Sequence, residues 1–352
     1  LKEADVVVIC VPTPLNARKE PDVSYINAAV AEIIKYGHRG QLITLESTSY
    51  PGTTEELIVA PLTKAGFNPG QDIFVAFAPE RLDPGNKKFF TRNTPKVVGG
   101  VTTSCLMVAC AFYREIINEV KPVSSPRVAE MTKILENTYR AVNISLVNEL
   151  MLFCDRAGID IWEVVDAAST KPFGIQTFYP GPGIGGHCIS VDPFYLSWKA
   201  KDYGFHLGFI DWAGRINSLA MQHVVDKVAE ALNRQGKCLN GARILVVGIA
   251  YKKDIGDTRE SPALTIMEKL VHAQARVKYH DPYVPRVTLE GGKELTSVPL
   301  TEAEVVEVDC VLIVTDHSGI DYDWLVEKSV LVVDTRNATG KVARGREKIT
   351  GI

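Results

Sequence analysis

Short runs of aliphatic and β-branched residues alternate with helical segments near both ends of this chain, and this alternation constrains its fold more than any other feature. In the first 122 residues the apolar runs predict strands at 6–11, 41–46, 73–78 and 96–98. Helical patterns between them cover 24–36, 53–65 and 102–117. Nearly continuous apolar strands that alternate with helices are typical of a doubly wound, mostly parallel sheet.

The same alternation returns after Gly236, with strands predicted at 243–248, 276–280, 309–315 and 329–334 and a helix at 262–272. The intervening residues instead show helical patterns at 127–156, 161–168 and 207–234. We therefore predict an α/β protein in which two doubly wound, parallel-sheet (Rossmann-like) domains are joined by a central helical block. The expected domain bounds are 1–122, 123–236 and 237–352.

The long helix predicted at 127–156 has two faces. Lys133, Asn137 and Arg140 share one of them, for which a solvated polar stripe is the plain interpretation. Apolar residues recur at helical spacing elsewhere and predict a face that packs in the core. These residues are Val128, Met131, Leu135, Val142, Leu146 and Phe153.

Charge and cysteine usage exclude several classes of partner. A net charge of −3 over 352 residues gives no basic field, so we expect neither nucleic acid nor an anionic membrane as a partner. The seven cysteines are scattered and form no CxxC pair, which predicts neither a disulfide framework nor a zinc site. Unpaired thiols indicate a reducing, cytoplasmic compartment.

Residues 180–193 contain four glycines and three prolines in fourteen positions, a composition that favours a shaped loop. The loop leads into an apolar run at 191–198 that is predicted to be helical. Cys188 lies at this junction, where the positive end of a helix dipole can lower the pKa of a thiol. Cys188 is therefore a candidate nucleophile, and the alternative is an inert cysteine in a tight turn.

Other polar loops follow predicted strands, at the edge where ligands bind in open parallel sheets. In the first domain they are residues 12–14, 46–48 and 79–81; in the last, residues 248–262 combine lysine, arginine and a helix N-terminus. That last loop fits an anion or phosphate site, although a charged loop can also be merely solvated. It matches neither GxxxxGK[ST] nor GxGxxG. The first domain also has no GxGxxG, so its first βαβ unit is expected to be absent from this sequence.

Four strings of sequence together resemble the nucleotide-sugar 6-dehydrogenase family, in order and spacing. The family includes UDP-glucose, UDP-N-acetylglucosamine and UDP-N-acetylmannosamine dehydrogenases, and the resemblance covers essentially the whole chain beyond the family's first βαβ unit. His187 and the string PERLDPGN resemble the N-acetylhexosamine branch, and within it the UDP-N-acetylglucosamine enzymes. The strings are APERLDPGN, EMTKILENTYRAVNISLVNEL, GPGIGGHCISVDP and GIAYKKDIGDTRESPA.

The resemblance implies an NAD-dependent, four-electron oxidation of a sugar CH2OH group to a carboxylate, as a step in polysaccharide biosynthesis. Cys188 would capture the intermediate aldehyde as a thiohemiacetal, which is then oxidised to a thioester and hydrolysed. Lys133 and Asn137 would stabilise the alkoxide and oxyanion. Asp192 would pair with the lysine and order water.

The resemblance implies further roles at the loops. Glu80 would be the general base for hydrolysis, and Thr48 would supply a hydroxyl near the attacking water. NAD contacts are implied for Pro12, Thr13, Ser47, Thr48 and Arg259. Contacts with the UDP-sugar are implied for Glu80, Arg81, Lys133, Asn137, Gly183, Gly185, Gly186 and Lys252.

Relatives in this family are usually homodimers through the central helices, so we expect a homodimer here. UDP-N-acetylglucosamine is the expected substrate. UDP-N-acetylmannosamine and UDP-glucose are the alternatives within the class. From another class, the alternative is a non-catalytic protein that binds a sugar nucleotide, because fold alone does not establish activity.

Overall fold

The structure, a computed structural model, describes residues 1–16, 20–83 and 85–352, with only the backbone given for His187 and Cys188. Pro84, which belongs to the string PERLDPGN, lies outside the described residues. The chain divides into two units. One comprises Leu1–Tyr139 with Val191–Ile210, and the other comprises Arg140–Ser190 with Asp211–Ile352.

The first unit contains a five-stranded sheet in the order β1-β2-β3-β4-β5. Its strands are β1 (Val6–Ile9), β2 (Leu42–Leu45), β3 (Phe74–Phe77), β4 (Lys96–Gly100) and β5 (Val120–Val123). Strands β1, β2 and β3 are parallel, β4 is antiparallel to β3, and β5 is parallel to β4. The helices between its strands are α1 (Ser24–Tyr36), α2 (Ala60–Lys64), which continues a π-helical segment at Thr54–Val59, and α3 (Thr103–Ile116).

Helices cover both faces of this sheet, as a doubly wound fold requires. On one face Ile26, Val30 and Ile33 of α1 pack with Ile43 and Phe77 from the strands. On the other face, apolar residues of α3 pack against the strands in a second cluster, which includes Ala109, Cys110 and Tyr113. Burial on both faces explains why these strands are almost continuously apolar.

The α-helices between β5 and the second sheet are α4 (Pro126–Ala157), α5 (Ile161–Ser169), α6 (His187–Ala200) and α7 (Gly208–Arg234). Their positions agree with the predicted helical block except at α6, which begins four residues before the predicted start at 191. The glycine-rich loop ends at Gly186, so residue 188 is already the second residue of α6.

The predicted core face of α4 is wrong. Leu135, Leu146 and Phe153 are 59%, 51% and 63% exposed, and Val128 and Met131 are exposed as well. The opposite, polar face is the buried one, because Lys133 and Asn137 are 6% and 0% exposed. The interpretation of these two residues as a solvated stripe is therefore also wrong, since the loops that pack on this face offer it polar partners.

The second unit contains a parallel sheet in the order β12-β11-β10-β6-β7. Along the chain its elements are β6 (Arg243–Val247), α8 (Pro262–His272), β7 (Arg276–His280), the hairpin β8 (Arg286–Thr288) and β9 (Glu294–Thr296), α9 (Glu302–Val306), β10 (Cys310–Ile313), α10 (Tyr322–Lys328), β11 (Val332–Asp334) and β12 (Ile349–Gly351). Apolar clusters lie on both faces of the sheet. The predicted fold class, α/β with two doubly wound sheets and a helical block, is confirmed.

Candidate active site

The loops after β1 and β2 are tied together at the carboxyl edge of the first sheet. The hydroxyl of Ser47 accepts a hydrogen bond from the N–H of Val11 and donates one to the C=O of Val11, both at 2.7 Å. Thr13 is buried in the same loop, whereas Pro12 is exposed and Thr48 is half-buried. Hydroxyl groups of this kind are neutral partners that suit the ribose and carboxamide of a nicotinamide nucleoside.

The buried face of α4 begins with Glu130, a residue that the sequence did not single out. Its carboxylate accepts hydrogen bonds from the N–H of Gly52 at 2.6 Å and from the N–H and hydroxyl of Thr54 at 2.8 and 2.6 Å. Burial raises the pKa of Glu130, and these donors oppose that shift. Glu130 thus fixes the segment that follows the loop of Ser47 and Thr48.

Two further side chains on this face hold other parts of the first unit. Lys133 donates from Nζ to the backbone C=O of Glu80, in the loop after β3. Asn137 donates from Nδ2 to Oδ2 of Asp192 in α6 at 2.5 Å, and both side chains are buried. A cation and an amide donor on α4 and a carboxylate that lies 55 residues beyond Asn137 in the sequence are therefore assembled in one unit.

Glu80 lies at the edge of this group with its carboxylate about half exposed. Its Oε1 accepts hydrogen bonds from the N–H groups of Arg81 and Leu82 at 2.6 and 2.7 Å, which holds the loop in a tight turn. Oε2 lies 3.9 Å from Nζ of Lys96. An exposed, oriented carboxylate beside a cation is available to accept a proton from water.

Arg81 is anchored to α4. Its guanidinium binds both carboxylate oxygens of Glu136, at 2.6 and 3.3 Å, and donates to the C=O of Pro95 at 2.8 Å. Paired in this way, Arg81 fixes the Glu80 loop, so it stabilises the site through the backbone.

A buried ion pair beside Glu80 also escaped the sequence analysis. Lys96 lies 2.8 Å from Oε2 of Glu46, and Tyr113 donates to Oε1 of the same carboxylate at 2.6 Å. Burial and the charge of Glu46 raise the pKa of Tyr113, which therefore stays protonated and a donor. Lys96 opens β4 and Glu46 follows β2, so only the sheet pairing brings them together.

Cys188 has a described backbone, whereas its side chain lies outside the described part of the structure. The residue is in the first turn of α6, where the N–H of Ser190 bonds to the C=O of Gly186 at 3.4 Å. Asp192 follows one helical turn later. A thiol in the first turn of a helix is stabilised as the thiolate by the helix dipole.

In the second unit, the glycines of the loop before α6 are required by close packing. A Cβ on Gly185 would lie 2.7 Å from Cβ of Tyr251, and a Cβ on Gly186 would lie 2.9 Å from the ring of Tyr251. Gly183 and Gly186 also have φ values of +135° and +87°, which disfavour other residues. The glycines thus have a packing role in addition to the ligand contacts that the resemblance implies.

A carboxylate of the protein itself binds the backbone amides at the start of the loop after β6. The N–H groups of Ile249 and Ala250 donate to Oδ2 of the buried Asp281 at 2.7 and 3.1 Å. These two amides therefore do not form the anion site expected after this strand. Lys252 is half-buried further along the loop. The exposed Arg259 donates from Nε and Nη2 to the carboxylate of Asp257 at 2.6–3.1 Å.

Three models of one protein family match the chain. They describe the NAD binding domain, the central domain and the UDP binding domain of the UDP-glucose/GDP-mannose dehydrogenase family, and they match residues 1–117, 127–219 and 245–341. Within the described residues, no helix is long and apolar enough to cross a membrane.

Individual relatives carry different substrate names. A UDP-N-acetyl-D-glucosamine 6-dehydrogenase from Pseudomonas aeruginosa is 37% identical over 81% of this chain and 67% of its own length. An NDP-N-acetyl-D-galactosaminuronic acid dehydrogenase from Ralstonia nicotianae is 35% identical over 95% of this chain and 78% of its own. The solved structure of a UDP-D-ManNAc dehydrogenase from Pyrococcus horikoshii superposes with a TM-score of 0.89 at 32% identity, covering 100% of this chain and 81% of that one.

Proposed function

Because the chain belongs to the UDP-glucose/GDP-mannose dehydrogenase family, we propose that it oxidises C6 of UDP-N-acetylglucosamine to the carboxylate. The family makes the chain an NAD-dependent UDP-sugar dehydrogenase. Similarity to the Pseudomonas aeruginosa enzyme and the PERLDPGN string support the N-acetylglucosamine substrate. UDP-N-acetylmannosamine is the second candidate, because the Pyrococcus horikoshii relative carries that name.

The observation that carries the proposal is the buried group formed by Lys133, Asn137 and Asp192. A lysine held by a backbone carbonyl and an asparagine held by a carboxylate are preorganised hydrogen-bond donors in a site with little water. Such donors stabilise negative charge on oxygen much more effectively than bulk water does. An alcohol oxidation that passes through an alkoxide and a tetrahedral oxyanion needs this type of site.

NAD+ supplies the hydride acceptor when it is bound, and two equivalents are needed because four electrons leave each sugar. We assign its ribose and nicotinamide to the loop edge formed by Pro12, Thr13, Ser47 and Thr48, with Arg259 as a further contact. The tie between Ser47 and Val11 supports this assignment, because it fixes the two loops relative to each other.

Cys188 is proposed as the nucleophile. Its thiolate would form a C–S bond to the aldehyde carbon, and the carbonyl oxygen would take up a proton to give a thiohemiacetal. Oxidation of that carbon gives a thioester, and water then breaks the C–S bond to release the carboxylate and return the thiol. Lys133 and Asn137 would hold the charge on oxygen in both tetrahedral species.

The hydrolytic step needs a base and an oriented water molecule. Glu80 is proposed to accept the proton of the attacking water, with the Thr48 hydroxyl orienting that water and Asp192 holding Asn137 in place. The half-exposed carboxylate of Glu80 supports this role. The remaining contacts with the UDP-sugar are proposed for Arg81, Gly183, Gly185, Gly186 and Lys252.

We further propose three domains, at 1–122, 123–236 and 237–352, and the separate matches of three family models support this division. The exposed apolar face of α4, together with Phe209, Trp212 and Leu219 of α7, supports a homodimer through the central helices. Large apolar side chains of this number on a helical surface are typical of an interface.

The substrate is tested by measuring NADH formed from UDP-N-acetylglucosamine, UDP-N-acetylmannosamine and UDP-glucose. We expect the highest kcat/KM with UDP-N-acetylglucosamine and two NADH per sugar, and we expect Cys188→Ala to lose the second NADH because it cannot form the thiohemiacetal. A higher kcat/KM with either other sugar would reassign the substrate. Folded protein that binds UDP-sugar but forms no NADH from any of them would favour the non-catalytic binding protein.

A further inference from the structure

The glycine loop before α6 packs closely against residues 249–261, which we call the Tyr251 loop. The N–H of Gly186 donates to the C=O of Arg259 at 3.1 Å. A Cβ on Gly186 would meet three atoms of the Tyr251 ring at 2.9–3.2 Å, and one on Gly185 would meet the C=O of Glu260 at 2.9 Å. All these residues belong to the second unit. The two loops therefore cannot move independently at this point.

Gly186 is the last residue before α6, and its C=O accepts the first-turn hydrogen bond from Ser190. Cys188 lies inside that turn. A displacement of Gly186 consequently displaces the backbone of Cys188, because a turn of helix behaves as a rigid body at this length. The ring of Tyr251 therefore packs against the residue that begins the turn containing Cys188, the proposed nucleophile.

The other side of the Tyr251 loop is held by buried polar groups. His317 is fully buried, and its Nδ1 accepts a hydrogen bond from the N–H of Asp254 at 2.9 Å while Nε2 lies 3.0 Å from Oδ2 of Asp281. A ring nitrogen that accepts from a backbone N–H carries no proton, so Nε2 is the donor to Asp281. The same Asp281 oxygen accepts the N–H groups of Ile249 and Ala250.

Two residues of this loop have left-handed backbone conformations that cost energy for residues other than glycine. Asp254 has φ +61° and Glu260 has φ +52°. Such conformations persist only where the surroundings fix them, and they occur often at ligand-binding segments. The loop also lies within the matched UDP binding domain, and Lys252 adjoins Tyr251 in it.

We propose that the Tyr251 loop couples occupation of the UDP subsite to the position of Cys188, with Tyr251 and His317 as positioning residues. The inference rests on the proposed function, because it requires UDP at this loop and Cys188 as the nucleophile. A ligand that restrains the loop restrains the ring of Tyr251, and through Gly186 it restrains the first turn of α6. The thiol then reaches its working position only when a sugar nucleotide is bound, which limits its reaction with other electrophiles.

The test measures the alkylation rate of Cys188 by iodoacetamide, read by peptide mass spectrometry with and without UDP. UDP lacks the hexose and so leaves the proposed sugar subsite open. We expect UDP to change the rate by about fivefold or more in the wild type, as for ordinary coupled sites. The exposed Cys238 in the same protein serves as the internal reference and should not respond.

Variants at Tyr251 separate coupling from direct shielding by the ligand. Tyr251→Phe keeps the ring atoms that face Gly186 and should respond to UDP as the wild type does. Tyr251→Ala should still bind UDP by calorimetry but lose the response of Cys188. A full response in Tyr251→Ala would overturn the proposal.

Two substitutions of His317 give a second pair of matched variants. Gln at this position keeps one acceptor for the N–H of Asp254 and one donor for Asp281, whereas Leu removes both. We expect His317→Gln to retain the response of Cys188 to UDP and His317→Leu to lose it. Equal behaviour of the two folded variants would contradict the role assigned to His317.

A measurement on the wild type alone covers the case in which a variant does not fold. Hydrogen–deuterium exchange of the amides at 186–190 should slow when UDP binds. Unchanged exchange in a protein that binds UDP and forms NADH would refute the coupling and leave the proposed function intact. Failure of the wild type to bind UDP would refute the proposed function and, with it, the coupling.

Discussion

At the residue scale, one face of α4 organises the candidate site. Glu130 binds the segment after β2, Lys133 binds the loop after β3, and Asn137 binds Asp192 in α6. Each contact joins residues at least 53 positions apart in sequence. The free energy of these hydrogen bonds offsets the free energy of hydration that the buried polar groups lose. The same bonds fix the positions of three separate segments.

Lys133 gives the clearest residue-scale prediction. Lys133→Met keeps the length of the side chain and removes the cation, so kcat for NADH formation should fall by roughly 100-fold or more, as when one oxyanion donor is removed. The KM for NAD+ should change little. The matched control is Lys64→Met at an exposed lysine of α2, which should keep wild-type kinetics. If kcat of Lys133→Met lies within about twofold of the wild-type value, Lys133 is not part of the oxyanion site.

The sequence identified some of these residues and missed others for a physical reason. The spacing of Lys133 and Asn137 placed them on one helix face, and the resemblance gave them a role. Glu130 lies on the same face, but its donors Gly52 and Thr54 are 76 or more residues away, and no local pattern points to them. Lys96 and Glu46 likewise meet only through the pairing of strands in the sheet.

At the element scale, α4 departs from the usual amphipathic arrangement, because polar side chains share its buried side with apolar ones such as Ile134. Its buried face carries charges and amides, and its exposed face carries Leu135, Leu146 and Phe153. The pattern of helical spacing is the same for a core face and for an interface with another chain. This is why periodicity alone predicted the wrong partner for the apolar stripe.

A double substitution on that stripe tests the homodimer. Leu146→Glu with Phe153→Glu should convert a dimer to a monomer in light scattering, because burying each Leu or Phe contributes about 1.5–3 kcal/mol and a buried unpaired carboxylate reverses that gain. The matched control is Met107→Glu on α3, which is 63% exposed and away from the central helices. A wild type of monomer mass over a wide concentration range would contradict the dimer.

Long and strongly patterned elements were predicted best. The bounds of α1 and α8 agree with the structure, and β7 agrees at both ends. Short elements were missed: β5 contains a proline and lies at a sheet edge, where a proline is tolerated. The hairpin β8–β9 and the helices α9 and α10 are only three to seven residues long, too short for a period to be read.

At the scale of the whole molecule, the chain uses the same architecture twice. Each unit has a five-stranded sheet covered on both faces, and the loops beyond its strand ends carry several of the candidate residues. The alternating pattern in the sequence was sufficient to predict this class. It could not show that Asp281 accepts hydrogen bonds from the amides after β6. That contact depends on the side chain at the end of the neighbouring strand, β7.

The central claim is that Cys188 captures the aldehyde formed in the first oxidation and that the second oxidation takes place on a sugar carbon bound to Cys188. The most direct measurement is the mass of Glu80→Gln protein quenched after mixing with UDP-N-acetylglucosamine and NAD+, with the modified peptide mapped. Loss of the proposed base should slow hydrolysis, so the account predicts a thioester adduct on Cys188 whose mass is that of the substrate less the hydrogens removed in two oxidations. Cys188→Ala in the same background should carry no adduct. Formation of two NADH per sugar by Cys188→Ala protein would contradict the account.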